Sequence, residues 1–192
     1  LTSPVKKAAF ILLAFIVLFA TAAIGSSAAA GIDAPANLQV YLKLDGIPGE
    51  STAKGFEQWI PVSDVEFGFE APVTRLSGAA SPGKPAISNL SFSKLYDTAS
   101  APIFLSAMQG KPIKSASLVF VKPGPTPVKF LTISLSNVFV ASYDFNDTVE
   151  SISIAYGIIS FAYASQKPDG SLNTAAKSAW DTIKGIPAAP LP

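Results

Sequence analysis

Leu131-Thr-Ile-Ser-Leu-Ser-Asn-Val138 opens a run of strand-forming residues that continues to Tyr143, and Glu150-Ser-Ile-Ser-Ile-Ala-Tyr156 opens another that reaches Tyr163. With a third run over residues 115–121, these are the clearest strands of the chain. They are rich in Val, Ile, Phe and Tyr, the types that fit a pleated, half-buried surface. Between the first two in chain order stands Lys122-Pro-Gly-Pro-Thr-Pro127. Proline and glycine fix turn geometry, so this cluster predicts a hairpin.

Working outward, Leu38-Gln-Val-Tyr-Leu-Lys-Leu44 alternates apolar and polar residues as a half-buried strand does, and Asp45-Gly46 and Pro48-Gly49 force turns after it. Residues 59–69 carry β-branched and aromatic residues and read as a further strand pair, weakened at its end by Gly68. Residues 71–85, with three prolines and two glycines and no strong periodicity, read as a surface loop. Leu90-Ser-Phe-Ser-Lys-Leu95 alternates again. Ser100-Ala-Pro102 then supplies an N-cap and an early proline for a short helix to about Gln109, and Gly110 stops it. Short strands separated by Gly/Pro turns, with a single helix, predict a mainly β antiparallel barrel or sandwich; closure would protect the strand edges.

Composition narrows the chemistry. The 192 residues are 49% hydrophobic and 14% charged, enough for a real core, and the net charge is +1 with the basic residues spread thinly. That balance argues against a nucleic-acid partner. The chain contains no cysteine and no histidine. Disulfides, thiolate chemistry, Cys/His zinc sites, Ser-His-Asp triads and imidazole acid/base catalysis are excluded with them.

Lys6 and Lys7 precede an uncharged apolar stretch over residues 8–24, which includes Phe10, Leu13, Phe15, Ile16, Leu18 and Phe19. Small residues continue to Gly31. Extended through Ala30, the stretch exceeds the roughly 20 residues that a membrane-spanning helix requires, which predicts a transmembrane anchor. The alternative is a secretory signal peptide cleaved after Ala28-Ala-Ala30. Either way the positive-inside rule keeps the lysines in the cytoplasm and places the rest outside it, on the periplasmic side of a bacterial membrane or beyond. The organisation expected is therefore a hydrophobic segment (1–30), a linker (31–36), a β-domain (37–184) and a Pro-rich tail (185–192). The tail is expected to run extended and to lie along a partner, or else to fray.

Four stretches carry a family resemblance. Tyr41-Leu-Lys-Leu-Asp45-Gly46-Ile-Pro-Gly49-Glu50-Ser51 resembles the opening strand and turn of the Hcp proteins, which form the inner tube of type VI secretion systems. Asn89-Leu-Ser-Phe92-Ser-Lys94-Leu-Tyr-Asp97-Thr-Ala-Ser100-Ala-Pro102 is similar to the strand leading into that family's one helix, and Gly110-Lys111 to the segment just after that helix. Leu131 to Val138 resembles its central strand, and Gln166-Lys-Pro-Asp169-Gly170-Ser171 with Trp180-Asp181 its C-terminal end. The resemblance implies an antiparallel β-barrel of Hcp type with one short α-helix, a structural rather than enzymatic role, and homo-oligomerisation. The hydrophobic leader departs from the cytosolic tube proteins. It leads to the expectation of an Hcp-like barrel held at the outer face of the cytoplasmic membrane as a subunit or scaffold of a larger complex. The alternative is a secreted, soluble Hcp-like tube or effector protein.

No cofactor or metal is expected. Asp45, Glu50, Asp64 and Glu66 read as solvated turn and strand-end residues rather than a catalytic carboxylate pair. The run Asp144-Phe-Asn146-Asp147-Thr-Val-Glu150 has part of the oxygen spacing of a calcium loop but lacks its glycine and distal glutamate, and reads as a turn. Trp59, Phe67, Phe69 and Trp180, together with Phe161, are the candidate interface residues, as core or subunit-contact anchors.

Overall fold

A computed structural model describes residues 37–76 and 79–192; the expected membrane or signal segment, with Phe10, Leu13, Phe15, Ile16, Leu18 and Phe19, and the 31–36 linker lie outside the described residues. The strands are β1 (Gln39–Leu44), β2 (Ile60–Glu66), β3 (Phe69–Glu70), β4 (Val73–Leu76), β5 (Ala79–Pro82), β6 (Ala86–Ile87), β7 (Leu90–Leu95), β8 (Ile113–Lys122), β9 (Val128–Asn146), β10 (Val149–Tyr163), β11 (Ala176–Asp181) and β12 (Ile186–Pro187), with helix α1 (Ser100–Gln109) after β7.

The order β10-β7-β2-β1-β8-β9, with β9 paired back to β10, closes a six-stranded antiparallel barrel. β10 makes closure possible because it is long. One edge runs with β9 along almost its whole length, whereas the other pairs with β7 over residues 149–154 and with β11 over residues 158–163. Leu42, Leu90, Phe92, Leu118, Leu135 and Ile152 fill the interior at 2% exposure or less. Alternation places them there, since successive side chains of a strand face opposite sides. A smaller cluster lies on the outer side of β1 and β8, where Tyr41, Val119 and Val121 pack under Phe56 of the loop between β1 and β2.

That loop is fixed by contact as well as by turn chemistry. Gly49 N–H donates to the Gln58 carbonyl at 2.8 Å, and a Cβ on Gly49 would sit 2.5 Å from the Trp59 carbonyl oxygen. Only glycine lets the two strands of backbone approach this closely.

Three expectations need correction. The pair expected over 59–69 is one barrel strand, β2, and a separate two-residue strand, β3. The chain leaves the barrel at Gly68, where Ser88 donates and accepts hydrogen bonds with the Gly68 backbone. Residues 71–85 are not a plain loop: β4 pairs with β5, and β3 with β6 below them, as a projecting ribbon. Phe69 and Val73 are exposed and each strand is only two to four residues long, so no hydrophobic period marks these ladders. Finally, Ala99 rather than Ser100 caps α1, with no side-chain cap bond. Gly110 ends the helix as expected, left-handed at φ 59° with its N–H on Ala107 and that of Lys111 on Ser106.

Candidate functional site

Two features stand out on this frame, one open and one sealed. The open one is an apolar groove between the base of the ribbon and the end of β10. Phe67, Phe69, Pro85 and Ile87 form one wall, Ile159, Phe161 and Trp180 the other, around about 300 Å³ with no polar lining atom. Phe67 and Phe161 lie 5.3 Å apart with tilted rings, and Phe69 is 67% exposed. Aromatic side chains left this accessible contribute contact area at low entropic cost when a partner covers them.

Three of the four candidate interface residues, Phe67, Phe69 and Trp180, are therefore brought together, with Phe161 between them. Trp59 is not. It packs edge-on against Phe56, 5.4 Å away, beneath Lys43 at 5.8 Å, on the outer face of β1. Its indole covers the small outer cluster, which explains its partial burial without any partner.

The sealed feature lies where α1 meets the barrel. Lys94 on β7 and Glu150 on β10 stand directly opposite each other and form a salt bridge with both side chains fully buried. The Lys94 ammonium also reaches Ser100 Oγ, the Leu95 carbonyl and Asp97 Oδ1, each at 2.8 Å. Ser100 donates to Glu150 at 2.7 Å, and the Tyr143 hydroxyl donates to the other carboxylate oxygen. This is why Ser100 does not cap its helix: its hydroxyl is committed to the pair below.

Burial pushes the Glu150 carboxyl up, but hydrogen bonds from Lys94, Tyr143 and Ser100 and the Lys94 charge together outweigh it, leaving the group below the ordinary carboxylate range. Tyr143 moves the other way. Burial first, then its bond to Glu150, hold its phenol well above the usual value. Among the described residues no buried polar side-chain atom lacks a partner, so the polar groups of this cluster are spent on one another. Its evident work is to join β7, β9, β10 and the first turn of α1.

The sequence pattern does not mark this cluster. Lys94 and Glu150 lie 56 positions apart and look like ordinary solvated charges; the one signal they carry is their place on the inward phase of alternating strands. The acidic residues that the pattern does single out do not assemble. Asp45, Glu50, Asp64 and Glu66 are all exposed, and Glu50 accepts the Thr98 N–H at 3.0 Å. Asp144, Asn146 and Asp147 lie exposed about the β9–β10 turn while Glu150 turns inward to Lys94. Among the described residues, no group of three or more His, Cys, Asp or Glu is placed to hold a metal.

Among the described residues, a closed barrel, a single helix packed against β9 and an all-apolar groove at the margin of the core make up a packing module. The family model described as "Type VI secretion system effector, Hcp" matches residues 41–163, and the chain belongs to the Hcp family. Among solved structures, a type six secretion system protein is 26% identical, covering 79% of this chain and 99% of its own, with a TM-score of 0.72. Hcp1 from Salmonella typhimurium (23% identity, 79% and 99% covered, TM-score 0.64) and a type VI secretion system effector from Yersinia pestis (23%, 74% and 98%, 0.57) share the fold. Comparison with curated proteins gives no match.

Proposed function

We propose that this chain is a non-catalytic structural subunit that packs against copies of itself in the manner of an Hcp tube protein and acts outside the cytoplasm as an exported, soluble protein. The observation that carries the self-packing is the apolar groove of Phe67, Phe69, Phe161 and Trp180, open to solvent at the margin of the barrel core. Membership of the Hcp family supplies the expectation that the surface covering it belongs to another copy. The test is the solution mass of the full chain against that of Phe69→Ser. Phe69 is exposed, so the fold survives the change while self-association weakens at least tenfold. Equal association in both proteins refutes the groove's role.

A second reading is favoured by residues 8–24 alone. If that stretch is retained, the barrel is anchored at the periplasmic face of the cytoplasmic membrane and serves as an extrinsic subunit of a larger complex. Among the described residues no helix is long and apolar enough to cross a membrane, and the stretch lies outside them. Intact mass and N-terminal sequence of the native protein separate the readings. A soluble chain beginning at Gly31 supports export with cleavage; a membrane-fraction chain that keeps residues 8–24 supports the anchor.

A further inference from the structure

Residues 185–192, Gly-Ile-Pro-Ala-Ala-Pro-Leu-Pro, lie against the outside of the barrel. After β11, the Asp181 carboxylate accepts the N–H groups of Ile183 at 3.0 Å and Lys184 at 2.8 Å, and Gly185 at φ 70° turns the chain back. β12 then pairs with β11, and Ala188 N–H donates to the Ala179 carbonyl at 3.0 Å. Further on, Leu191 N–H donates to Ser160 Oγ at 3.2 Å, and Ser134 Oγ donates to the Pro192 carbonyl at 3.1 Å.

Ser134 and Ser160 are directly opposite across β9 and β10. Both point away from the core, yet they are only 7% and 3% exposed. The tail is thus seated on a defined surface, but it is held by few bonds. Pro187, Pro190 and Pro192 have no N–H, so the segment cannot extend a strand ladder along its length. Beside its tip a cleft of about 290 Å³ stays open toward Lys43, Asp45, Ser115 and Ser136. Residues 186–192 can therefore leave without disturbing the core.

We propose that residues 186–192 are exchanged between copies, the tail of one lying on the Ser134–Ser160 wall of the next. The proposal rests on the self-packing reading above. Exchange preserves the contacts of residues 186–192 and alters only the 182–185 turn with its bonds to Asp181, which is how swapped elements join identical chains at low cost. Seven extended residues reach about 23 Å, enough to cross to a neighbour in side contact. Donor and acceptor are different surfaces, so each copy gives a tail and receives one, the heterologous arrangement that builds rings when the rotation closes and filaments when it does not.

The test uses the full chain carrying Ser160→Cys and Leu191→Cys. With no native cysteine, any disulfide is the designed one. After oxidation, a non-reducing denaturing gel and light scattering are run on the same sample. Exchange predicts covalent multimers. Links confined to single chains in a sample that scatters as an oligomer overturn exchange and leave self-packing standing; single-copy mass by scattering overturns self-packing and exchange together. No link at all means the tail is not seated by β10, which also overturns the proposal. A second variant, ending at Gly185, is expected to raise the dissociation concentration of the assembly at least tenfold, and an unchanged value counts against exchange.

Discussion

Lys94 and Glu150 illustrate what a buried charge pair does in an otherwise largely apolar barrel interior. Removing one partner strands the other, a change that costs about 3–5 kcal/mol, whereas replacing both with apolar residues of similar volume is often neutral. Lys94→Met alone is accordingly expected to lower unfolding stability by about 3 kcal/mol or more, and Lys94→Met with Glu150→Leu by much less. Denaturant midpoints check this; a single variant within about 1 kcal/mol of the parent would show the pair to be dispensable. The pH dependence has a definite sign. The folded-state pKa of Glu150 is depressed, so its contribution is present above the unfolded value of about 4.3 and is lost as pH falls through the folded one. Tyr143 is raised, so its contribution is present below the unfolded value of about 10 and is lost as pH rises through the folded one. Stability profiles should therefore flatten below pH 4 in Glu150→Gln and above pH 10 in Tyr143→Phe. Profiles parallel to the parent at both ends would contradict these assignments. Beyond the inward phase that Lys94 and Glu150 share with their apolar strand neighbours, nothing in the sequence joins them, because they come from strands far apart in the chain.

At the scale of elements, legibility tracks burial. The three runs around Leu131, Glu150 and Ser115 are readable because each buries one face, and β8, β9 and β10 are those runs extended at their ends. The ribbon of β3 to β6 is not, since its strands are two to four residues long and too short to show a period. The helix is readable from its ends: Pro102 falls in its first turn, where a missing N–H costs nothing, and Gly110 closes it. Its N-cap is not, because a serine at a helix start has an ordinary local use, and only the tertiary fold reveals that Lys94 and Glu150 claim the hydroxyl. Two glycines make distinct predictions. Gly110→Ala meets no neighbour but must hold φ 59°, and should cost about 1 kcal/mol. Gly49→Ala keeps an ordinary φ but drives a methyl into the Trp59 backbone, and should cost about 1–3 kcal/mol. Thermal melts of the two variants check the order; a Gly49 variant as stable as the parent would contradict the close approach.

For the whole molecule, the barrel is legible in the sequence and the working surface only half so. Phe67, Phe69 and Trp180 read as interface aromatics, but nothing in their spacing tells that they share a groove while Trp59 lies elsewhere; that depends on β11 pairing with the far half of β10. The tail, expected to run extended along a partner or to fray, lies along its own barrel, because the turn at Gly185 brings it back over Ser160 and Ser134. A chain that leaves an apolar groove uncovered and belongs to the Hcp family is accounted for most simply as one that completes its burial by packing with others. The measurement that addresses this directly is light scattering of the native full-length protein across a dilution series. Self-packing predicts a discrete multiple of the single-chain mass that falls on dilution and is weakened by Phe69→Ser. A single-chain mass at every concentration, with the groove still open to solvent, would contradict it.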